Sequence, residues 1–324
     1  MSLLTQSLAQ LFGKKPSKPD PSEFSEEANR IHEEHRKRRS KSEILAIHEA
    51  REAQAKNTFW RRRRWGVLIS VNLFFVASSV LHINALEGAL TGSRFVGFHM
   101  ADLNSALQVM LAFKHVLINL LIGTITIAFI WWLLGGRTFC AWVCPYHLLA
   151  EWAEILHLKL KAKGWAMDIK FERGTRTWLW LIFAALAFIS SYTVYETISP
   201  TGILSRALIY GPGLALIWVA LILLFEIFFS RRAWCRYACP IGLTYGLVGA
   251  TSPMKVQYHL DDCFHDGACR QVCLVPHALE ITKPQRATEA HVDIGADCTR
   301  CGRCVEVCPT QSLTFEFKGL SKIK

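Results

Sequence analysis

Near its C-terminus the chain reads Cys298-Thr-Arg-Cys301-Gly-Arg-Cys304-Val-Glu-Val-Cys308-Pro309. The spacing is C-x2-C-x2-C-x3-C-P, in which three cysteines close around one corner of a cubane iron–sulfur cluster and the fourth ligates a neighbouring cluster. Zinc sites also use C-x2-C pairs. Four cysteines placed so close together and followed by proline suit a cubane better than a zinc knuckle. The run therefore predicts a protein that moves electrons.

A second, imperfect copy lies upstream as Cys263-Phe-His-Asp266-Gly-Ala-Cys269-Arg-Gln-Val-Cys273. Asp266 occupies its second ligand position, where the complete run has cysteine. Because the fourth cysteine of each run serves the other cluster, the predicted ligand sets are Cys298, Cys301, Cys304 and Cys273 for one cluster, and Cys263, Asp266, Cys269 and Cys308 for the other. A carboxylate is a harder and weaker ligand for this iron than a thiolate. The second cluster is thus predicted to be an oxygen-ligated 4Fe-4S or a 3Fe-4S cluster, and a degenerate, empty site is the alternative.

The apolar residues upstream of these runs are concentrated in long blocks. The chain has 324 residues, of which 51% are hydrophobic, and four blocks approach the ~20 residues that cross a bilayer. These are Trp65–Leu86, His115–Leu134, Thr177–Ile198 and Gly213–Phe229. The blocks predict four transmembrane helices.

Lysine and arginine are distributed unevenly around these blocks. They precede the first block as Arg61–Arg64, fill the segment between the second and third, and follow the fourth, whereas the other two connections hold few. The bias predicts a multi-pass protein of the bacterial cytoplasmic membrane with both termini on the cytoplasmic side. It also accounts for the formal charge of +11 through attraction to anionic lipid, so we expect no nucleic-acid partner. All 11 cysteines fall on this reducing side, which favours metal or cluster ligation over disulfides.

A second repeat occurs among the apolar blocks. Arg137-Thr-Phe-Cys140-Ala-Trp-Val-Cys144-Pro145 recurs as Arg232-Ala-Trp-Cys235-Arg-Tyr-Ala-Cys239-Pro240, after the second and the fourth block. The membrane domain is therefore predicted to consist of two similar helical hairpins. Its four thiols could form a redox or soft-metal site, or they could be small hydrophobes packed where Cys-Pro ends a helix.

The predicted fold is mainly α. Residues 1–60 form a polar cytoplasmic tail that is partly helical or disordered, because few apolar residues are available to bury there. Residues 61–250 form the four-helix membrane domain with its two C-x3-C-P motifs. Residues 251–324 form a small α+β domain similar to bacterial ferredoxins, with two iron–sulfur cluster sites and a cytoplasmic location.

Twin C-x3-C-P motifs followed by a two-cluster ferredoxin module resemble the NapH family of ferredoxin-type quinol dehydrogenase subunits from periplasmic nitrate reductase systems. The resemblance covers roughly residues 61–317 and rests on 139–145, on 234–246 and on both cysteine runs. It implies an iron–sulfur subunit that passes electrons from membrane quinol towards a reductase through a partner ferredoxin or cytochrome. Asp266, Leu274 and the long N-terminal tail depart from the family pattern. Asp266 bears on the potential and nuclearity of one cluster, and the tail indicates a related branch that serves another reductase.

Quinol oxidation releases two protons, so acceptors are needed near the clusters. Glu226, His147 and Glu151 are the candidates for the quinone site, because histidine and carboxylates can take protons near neutral pH. Two other functions fit the same features. One is a copper-reducing assembly factor, as in the CcoG family, which shares the C-x3-C-P motif and whose thiolates would favour Cu(I). The other is a membrane redox sensor that uses the charged tail as an output surface.

Overall fold

The structure, a computed structural model, describes residues 3–36, 58–81, 86–95 and 98–318 and a few single positions between 42 and 52. Helices occupy most of this length. They are α1 (Leu3–Leu11), α2 (Glu26–Arg36), α3 (Phe59–Val80), α4 (Leu103–Phe113), α5 (Ile118–Leu134), α6 (Thr138–Trp142), α7 (Pro145–Ala162), α8 (Gly174–Ser190), α9 (Val194–Ile198), α10 (Pro200–Tyr210), α11 (Ala215–Phe228), α12 (Ile241–Gly249), α13 (Ala268–Val272) and α14 (Arg303–Val307).

The helices from α3 to α12 form one helical unit. Within it α7 packs on α11 and α4 packs on α8, and a small antiparallel sheet of β1 (Leu86–Ala89), β2 (Gly92–Phe95) and β3 (Phe98–Ala101) packs against α5. The buried side chains at its centre surround the two C-x3-C-P motifs and include Tyr146, Tyr195 and Tyr245. This core positions the motif cysteines.

The prediction of four transmembrane helices from the apolar blocks is wrong. Within the described ranges, no helix combines the length and the hydropathy needed to cross a membrane. Helices α5 and α8 have 17 residues each and α11 has 14, against the ~20 that span the hydrocarbon layer. Helix α3 has 22, but these include Arg61–Arg64. The mainly helical class stands, whereas the transmembrane domain and its multi-pass topology do not.

The blocks suggested longer helices because apolar composition continues past the points where the backbone turns. Ser191, which lies inside the third block, ends α8 with a φ of 53°. Such left-handed residues are common helix terminators. The end of the first block, residues 82–85, lies outside the described residues.

The C-terminal module is built on a three-stranded antiparallel sheet in the order β5-β4-β6, with β4 (Met254–His259) in the centre, β5 (His291–Asp293) and β6 (Leu313–Phe317). The short helices α13 and α14 pack together beside it. Between sheet and helices lies a core that contains most of the module's cysteines. This arrangement matches the α+β element of the predicted fold.

The N-terminal segment contributes to both units, although the sequence predicts a solvated tail. Leu11 of α1 is fully buried against Leu243 of α12. Ala28 and Ile31 of α2 are buried in the core of the C-terminal module. The few apolar residues of this segment are spaced so that one face of each short helix can pack on an existing core. Residues 37–57 of the predicted tail lie largely outside the described residues.

Arg300 connects the C-terminal module to the helical unit through hydrogen bonds. Its side chain is almost fully buried and donates hydrogen bonds to the backbone carbonyls of Gly135, at the end of α5, and Gly249, at the end of α12, the latter at 3.1 Å. In the other direction, the indole N–H of Trp142 donates to the Arg300 carbonyl at 3.1 Å. The two cysteine runs and the two C-x3-C-P motifs are therefore held side by side.

Candidate electron-transfer site

The two cysteine runs have the same local backbone shape. In each, the residue two positions after the first cysteine has a positive φ, 55° at His265 and 49° at Arg300. The backbone N–H of that residue donates to the sulfur of the first cysteine, at 3.3 and 3.4 Å. A glycine with positive φ, Gly267 or Gly302, then starts the short helix that follows. N–H groups directed at sulfur orient cluster ligands and influence the reduction potential of the cluster.

Cys273 leaves its own run and joins the cysteines of the complete one. Burial, together with the neighbouring thiols of Cys301 and Cys298, raises the pKa of Cys273 well above its usual value. The pKa of Cys304 is raised well above its usual value for the same reasons, by burial and by the neighbouring thiols of Cys298 and Cys273. The structure thus brings together the four cysteines assigned to one cluster.

The other three cysteines gather around a buried tyrosine. Burial raises the pKa of Tyr258, and the thiols of Cys263, Cys269 and Cys308 raise it further. Burial also raises the pKa of Cys269 to about 11, and its sulfur lies 3.6 Å from the Thr282 hydroxyl oxygen. These three thiols are the cysteine members of the second predicted ligand set.

The spacing of the sulfur atoms distinguishes a cluster from a zinc ion. A tetrahedral zinc site with Zn–S bonds of about 2.3 Å holds its sulfurs about 3.8 Å apart. In the part of the chain that the structure describes, no three cysteine sulfurs lie within 4.8 Å of one another. This spacing does not match a single zinc ion, whereas the thiolates of an iron–sulfur cluster bind different irons and need not lie so close together. Such a cluster, when bound, carries one electron at a time.

Asp266 lies at the edge of this module, where it lines a cleft shared with the helical unit. The cleft is rich in cations. Its charged residues are Lys161, Lys170, Arg173, Arg231, Arg236 and Arg270 on the positive side and Asp168 and Asp266 on the negative side. The corner of the module that lacks a cysteine is therefore next to a basic surface, and ligation by Asp266 stays a prediction.

The two C-x3-C-P motifs share one geometry. The first cysteine of each motif lies in a short helical turn, Cys140 in α6 and Cys235 in a π-helical turn that spans Trp234–Ala238. The second cysteine is extended, with ψ of 117° at Cys144 and 111° at Cys239. The proline that follows disfavours helical backbone at the preceding residue. Each motif consequently turns the chain sharply at its second thiol.

Cys140, Cys144, Cys235 and Cys239 all line one cavity between the helical unit and the C-terminal module, which we call the thiol cavity. The sulfur of Cys144 lies 3.1 Å from the Thr201 hydroxyl, and that of Cys239 lies 3.6 Å from the Tyr195 hydroxyl. Leu274 and Thr299, which directly follow two cysteines of the predicted clusters, line the same cavity. The cavity therefore connects the motif thiols with the cysteine runs.

The arginine that opens each motif pairs with a buried carboxylate. Arg137 forms an ion pair with Asp297 of the C-terminal module, and Arg232 forms one with Glu154 of α7. Both arginines are buried and both also line the thiol cavity. They bring positive charge close to thiols that would be negative as ligands. The sequence repeat contained this signal, because arginine is shared by both copies.

Among the proton-acceptor candidates, Glu226 does not line the thiol cavity itself but lies behind Trp234, a residue that does. It is almost fully buried, and its Oε1 accepts a hydrogen bond from the Trp234 N–H at 2.9 Å. Burial raises the pKa of Glu226 to about 7, although the Trp234 N–H, Arg232 and Tyr146 act in the opposite direction. Its charge also contributes to the raised pKa of Cys235. Glu226 is thus close to a cavity thiol and able to exchange a proton near neutral pH.

Of the other two candidates, His147 lines the thiol cavity and Glu151 does not. Burial alone would raise the pKa of Glu151, but Arg64 and other arginines hold it below its usual value. Its carboxylate accepts hydrogen bonds from Arg64, from the Trp65 indole at 3.1 Å and from Arg303 at 2.9 Å. Burial and nearby arginines lower the pKa of His147 well below normal. Glu151 is therefore a structural anion that links α3, α7 and α14.

Asp297 is the residue that sequence reasoning missed. It lies directly before Cys298, is buried, and forms ion pairs with Arg137, with Arg173 at 2.9 Å and with Arg176 at 3.0 Å. These arginines hold its pKa well below the usual range despite the effect of burial. Its Oδ2 also lies 2.6 Å from Nε2 of His277. One carboxylate thus joins the complete cysteine run to the helical unit.

Two family profiles match this chain, and both are described as 4Fe-4S binding domains. One matches twice, over residues 116–163 and 211–257, and each match contains one C-x3-C-P motif. The other matches residues 294–314, which contain the complete cysteine run. The double match confirms the repeat inferred from the sequence. Neither range contains the imperfect run, so the ligands in that run remain predictions.

Relatives of known name align with most of the chain. The methylamine utilization ferredoxin-type protein MauN of Methylorubrum extorquens is 30% identical over 267 residues, which cover 81% of this chain and 90% of the relative. The ferredoxin-type protein NapH of Escherichia coli is 29% identical over 290 residues, 85% of this chain and 96% of the relative. The chain belongs to the NapH/MauN family of ferredoxin-type proteins.

Membership of the NapH/MauN family confirms the resemblance found in the sequence. MauN of Paracoccus denitrificans, 31% identical over 242 residues that cover 72% of this chain and 84% of the relative, supports it further. No solved structure matches the chain significantly. As a member of this family with 4Fe-4S binding domains, the protein is an iron–sulfur electron-transfer protein, and it exchanges electrons with a partner redox protein.

Proposed function

We propose that the protein accepts electrons from a quinol next to the thiol cavity and passes them through its iron–sulfur clusters to a partner redox protein. The observation that carries this proposal is the thiol cavity itself. It is lined by the motif cysteines on one side and by Leu274 and Thr299, the neighbours of Cys273 and Cys298, on the other. A donor bound there would be separated from the cluster ligands by a few side chains.

Quinol oxidation also needs a proton acceptor, and Glu226 supplies one. A quinol gives up two electrons and two protons, whereas each cluster accepts a single electron, so two clusters in one module suit the division of the pair. General bases work best when their pKa is close to the operating pH, and the pKa of Glu226 is about 7. Tyr146 lies beside Glu226 and is buried with it. We assign Glu226 to uptake of one of the two protons, the other leaving to water, and Tyr146 to holding the Glu226 carboxylate in place.

A quinol is dissolved in lipid, so the proposal includes contact with a membrane. Several apolar side chains on the helical unit are exposed, among them Phe74 at 58%, Ile118 at 70% and Ile189 at 76%. Large exposed apolar surfaces mark sites of interaction with other proteins or with lipid. We place the protein at the bacterial cytoplasmic membrane with its cysteine runs on the cytoplasmic side, where thiols stay reduced.

Replacement of Glu226 by glutamine is expected to slow quinol-dependent cluster reduction by about 100-fold, the lower range for loss of a general base. In the unmodified protein the rate should rise as the pH increases through about 7, because only the ionised carboxylate accepts a proton. The variant should lose this rise. The measurement is anaerobic stopped-flow bleaching of cluster absorbance by a water-soluble quinol analogue.

Glu280→Gln is the matched control, since Glu280 pairs with Lys283 on the surface of the C-terminal module at 2.6 Å. Its rate and pH profile should equal those of the unmodified protein. An unaltered rate in Glu226→Gln with full iron content would remove Glu226 from the mechanism. Absence of any reduction by quinol in the unmodified protein would overturn the donor assignment.

The basic cleft beside Asp266 is the proposed docking surface for the partner. Six cationic side chains face two carboxylates there, and charge complementarity accelerates association between redox proteins. The cleft therefore favours an acidic electron carrier, such as a ferredoxin or an acidic cytochrome domain.

Lys170→Glu should lower the second-order rate of electron exchange with an acidic ferredoxin by about 10-fold at low salt, and it should weaken the salt dependence of that rate. Lys163→Glu is the control, because Lys163 is also exposed but does not line the cleft. The measurement is the stopped-flow rate of electron exchange for both variants at several ionic strengths. Equal effects of both substitutions would assign the change to net charge and exclude the cleft.

The copper-handling alternative receives less support from the geometry. A trigonal or tetrahedral thiolate site holds its sulfurs about 4 Å apart or closer, and no three sulfurs within the described ranges lie within 4.8 Å. The family profile that matches both motifs is described by 4Fe-4S binding. We therefore assign the motif thiols to electron transfer.

A further inference from the structure

We propose that the protein contains a divalent transition-metal site, separate from the cysteine clusters, formed by His259, Asp261 and His291. One ligand atom from each of these residues lies within 4.8 Å of those of the other two. It is the single group of three or more potential metal ligands with this spacing that the described residues contain. The proposal does not depend on quinol as the electron donor.

The fold places these three residues together. His259 is the last residue of β4, and the antiparallel register puts it directly opposite His291, the first residue of β5. Side chains of directly opposed residues on one sheet face lie close enough to contact each other. Asp261 lies in the turn that follows β4. Sheet pairing thus supplies two imidazoles, and the adjoining turn supplies a carboxylate.

The distance between the imidazoles suits a shared cation. Nδ1 of His259 lies 2.9 Å from Nδ1 of His291. Two nitrogens bound to one ion at about 2.0 to 2.1 Å are separated by about 3.0 Å in octahedral and about 3.3 Å in tetrahedral geometry. Without metal, the same distance fits an N–H···N hydrogen bond. A bound cation would take the place of the proton between the two Nδ1 atoms. His291 is exposed, so its ring would then carry its proton on Nε2, in contact with water.

Polar groups on β6 favour the tautomer of His259 that carries its proton on Nε2. Its Nε2 lies 3.0 Å from the Thr314 hydroxyl and 3.9 Å from the Glu316 carboxylate, both on β6. Metal-binding histidines usually donate their other N–H to such groups, which orients the ring and makes the ligating nitrogen more basic. With the proton of His259 on Nε2, the lone pair of Nδ1 faces His291 and Asp261. Two imidazoles and one carboxylate favour Zn²⁺ and related borderline cations over Mg²⁺ or Ca²⁺.

The test is anaerobic equilibrium dialysis of the cluster-loaded full chain against Zn²⁺, with zinc and iron measured in the same sample. We expect one zinc ion per chain at constant iron content. His291→Ala should weaken zinc binding by more than about 100-fold, and Thr314→Val, which removes the hydroxyl beside Nε2 of His259, by about 10-fold or more. His115→Ala, which removes another exposed histidine, should leave binding unchanged.

Asp261→Asn guards against a folding defect, because this exposed turn residue can change without disturbing the core, and it should weaken binding as His291→Ala does. Iron content equal to that of the unmodified protein shows that each variant is folded. Equal zinc binding by His291→Ala and the unmodified protein would overturn the proposal. Zinc uptake with a matching loss of iron would also overturn it, by assigning the zinc to the cysteines.

Discussion

Asp297→Asn is expected to lower the free energy of unfolding by about 3 to 5 kcal/mol, the usual loss when one partner of a buried ion pair is removed. Asp297 neutralises Arg137, Arg173 and Arg176, two of which are almost fully buried. Asparagine has nearly the same shape but no charge, so the three guanidiniums, two of them buried, would remain beside each other without a counter-ion. The effect is electrostatic and should not depend on a cavity.

The consequence should extend beyond global stability, because Asp297 belongs to the C-terminal module and its partners belong to the helical unit. We expect the two units to separate more easily in the variant, so that protease cuts between α12 and β4 before the unit cores are degraded. Anaerobic denaturant titration gives the free energy of unfolding, and limited proteolysis gives the order of cleavage.

Asp168→Asn is the control for loss of a carboxylate. Asp168 pairs with Lys161 at 2.8 Å, and both side chains are partly exposed, at 25% and 48%. Exposed ion pairs contribute about 1 kcal/mol or less. If Asp297→Asn destabilised the protein no more than Asp168→Asn does, the carboxylate would not be the electrostatic centre of the interface.

Cys304→Ala should remove one cluster and reduce electron transfer to the partner by at least about 100-fold. Cys304 is buried in α14 among Cys298, Cys273 and Cys301. Thiolates are the normal ligands of such clusters, and alanine offers no atom that could replace the sulfur. Iron and acid-labile sulfide should fall together, by about the content of one cluster, in protein purified without oxygen.

Val307→Ala is the matched control, because Val307 lies on the same short helix and packs against the same core. It also shortens a side chain, but it leaves every thiol in place. We expect full iron content and a modest loss of stability, about 1 kcal/mol, as is usual for deletion of core methyl groups. Retention of all iron in Cys304→Ala would exclude Cys304 as a ligand.

Local patterns in the sequence predicted several features of the site. The spacing of Cys298–Cys308 predicted the cluster-binding run, and the repeated R-x-[FW]-C pattern predicted the related motifs at Cys140 and Cys235. Both signals are carried by a few neighbouring residues whose spacing follows from the chemistry of the ligand. The same reasoning found Glu226, because a carboxylate inside an apolar block is unusual.

Other features of the fold and the site could not be predicted from patterns of neighbouring residues. Each apolar block coincides with a helix, but the 18-residue helix α7 lies outside the blocks. The third block is longer than α8, because composition does not record the left-handed residue at Ser191 that ends this helix. The candidate Glu151 could not be distinguished from Glu226, since its partners Arg64 and Arg303 are distant in the chain. The polar N-terminal segment gave no sign that Leu11 is part of a core.

By itself the sequence determined that this protein binds iron–sulfur clusters, that its motif is repeated and that its fold is mainly helical, because ligand spacing and hydropathy are local properties. Only the tertiary structure decided which helices end early, that Asp297 is the counter-ion of three arginines, and that His259 and His291 face each other across two strands. Those features depend on contacts between residues far apart in the chain. Burial and charge pairing are set by such contacts, and no sequence pattern records them.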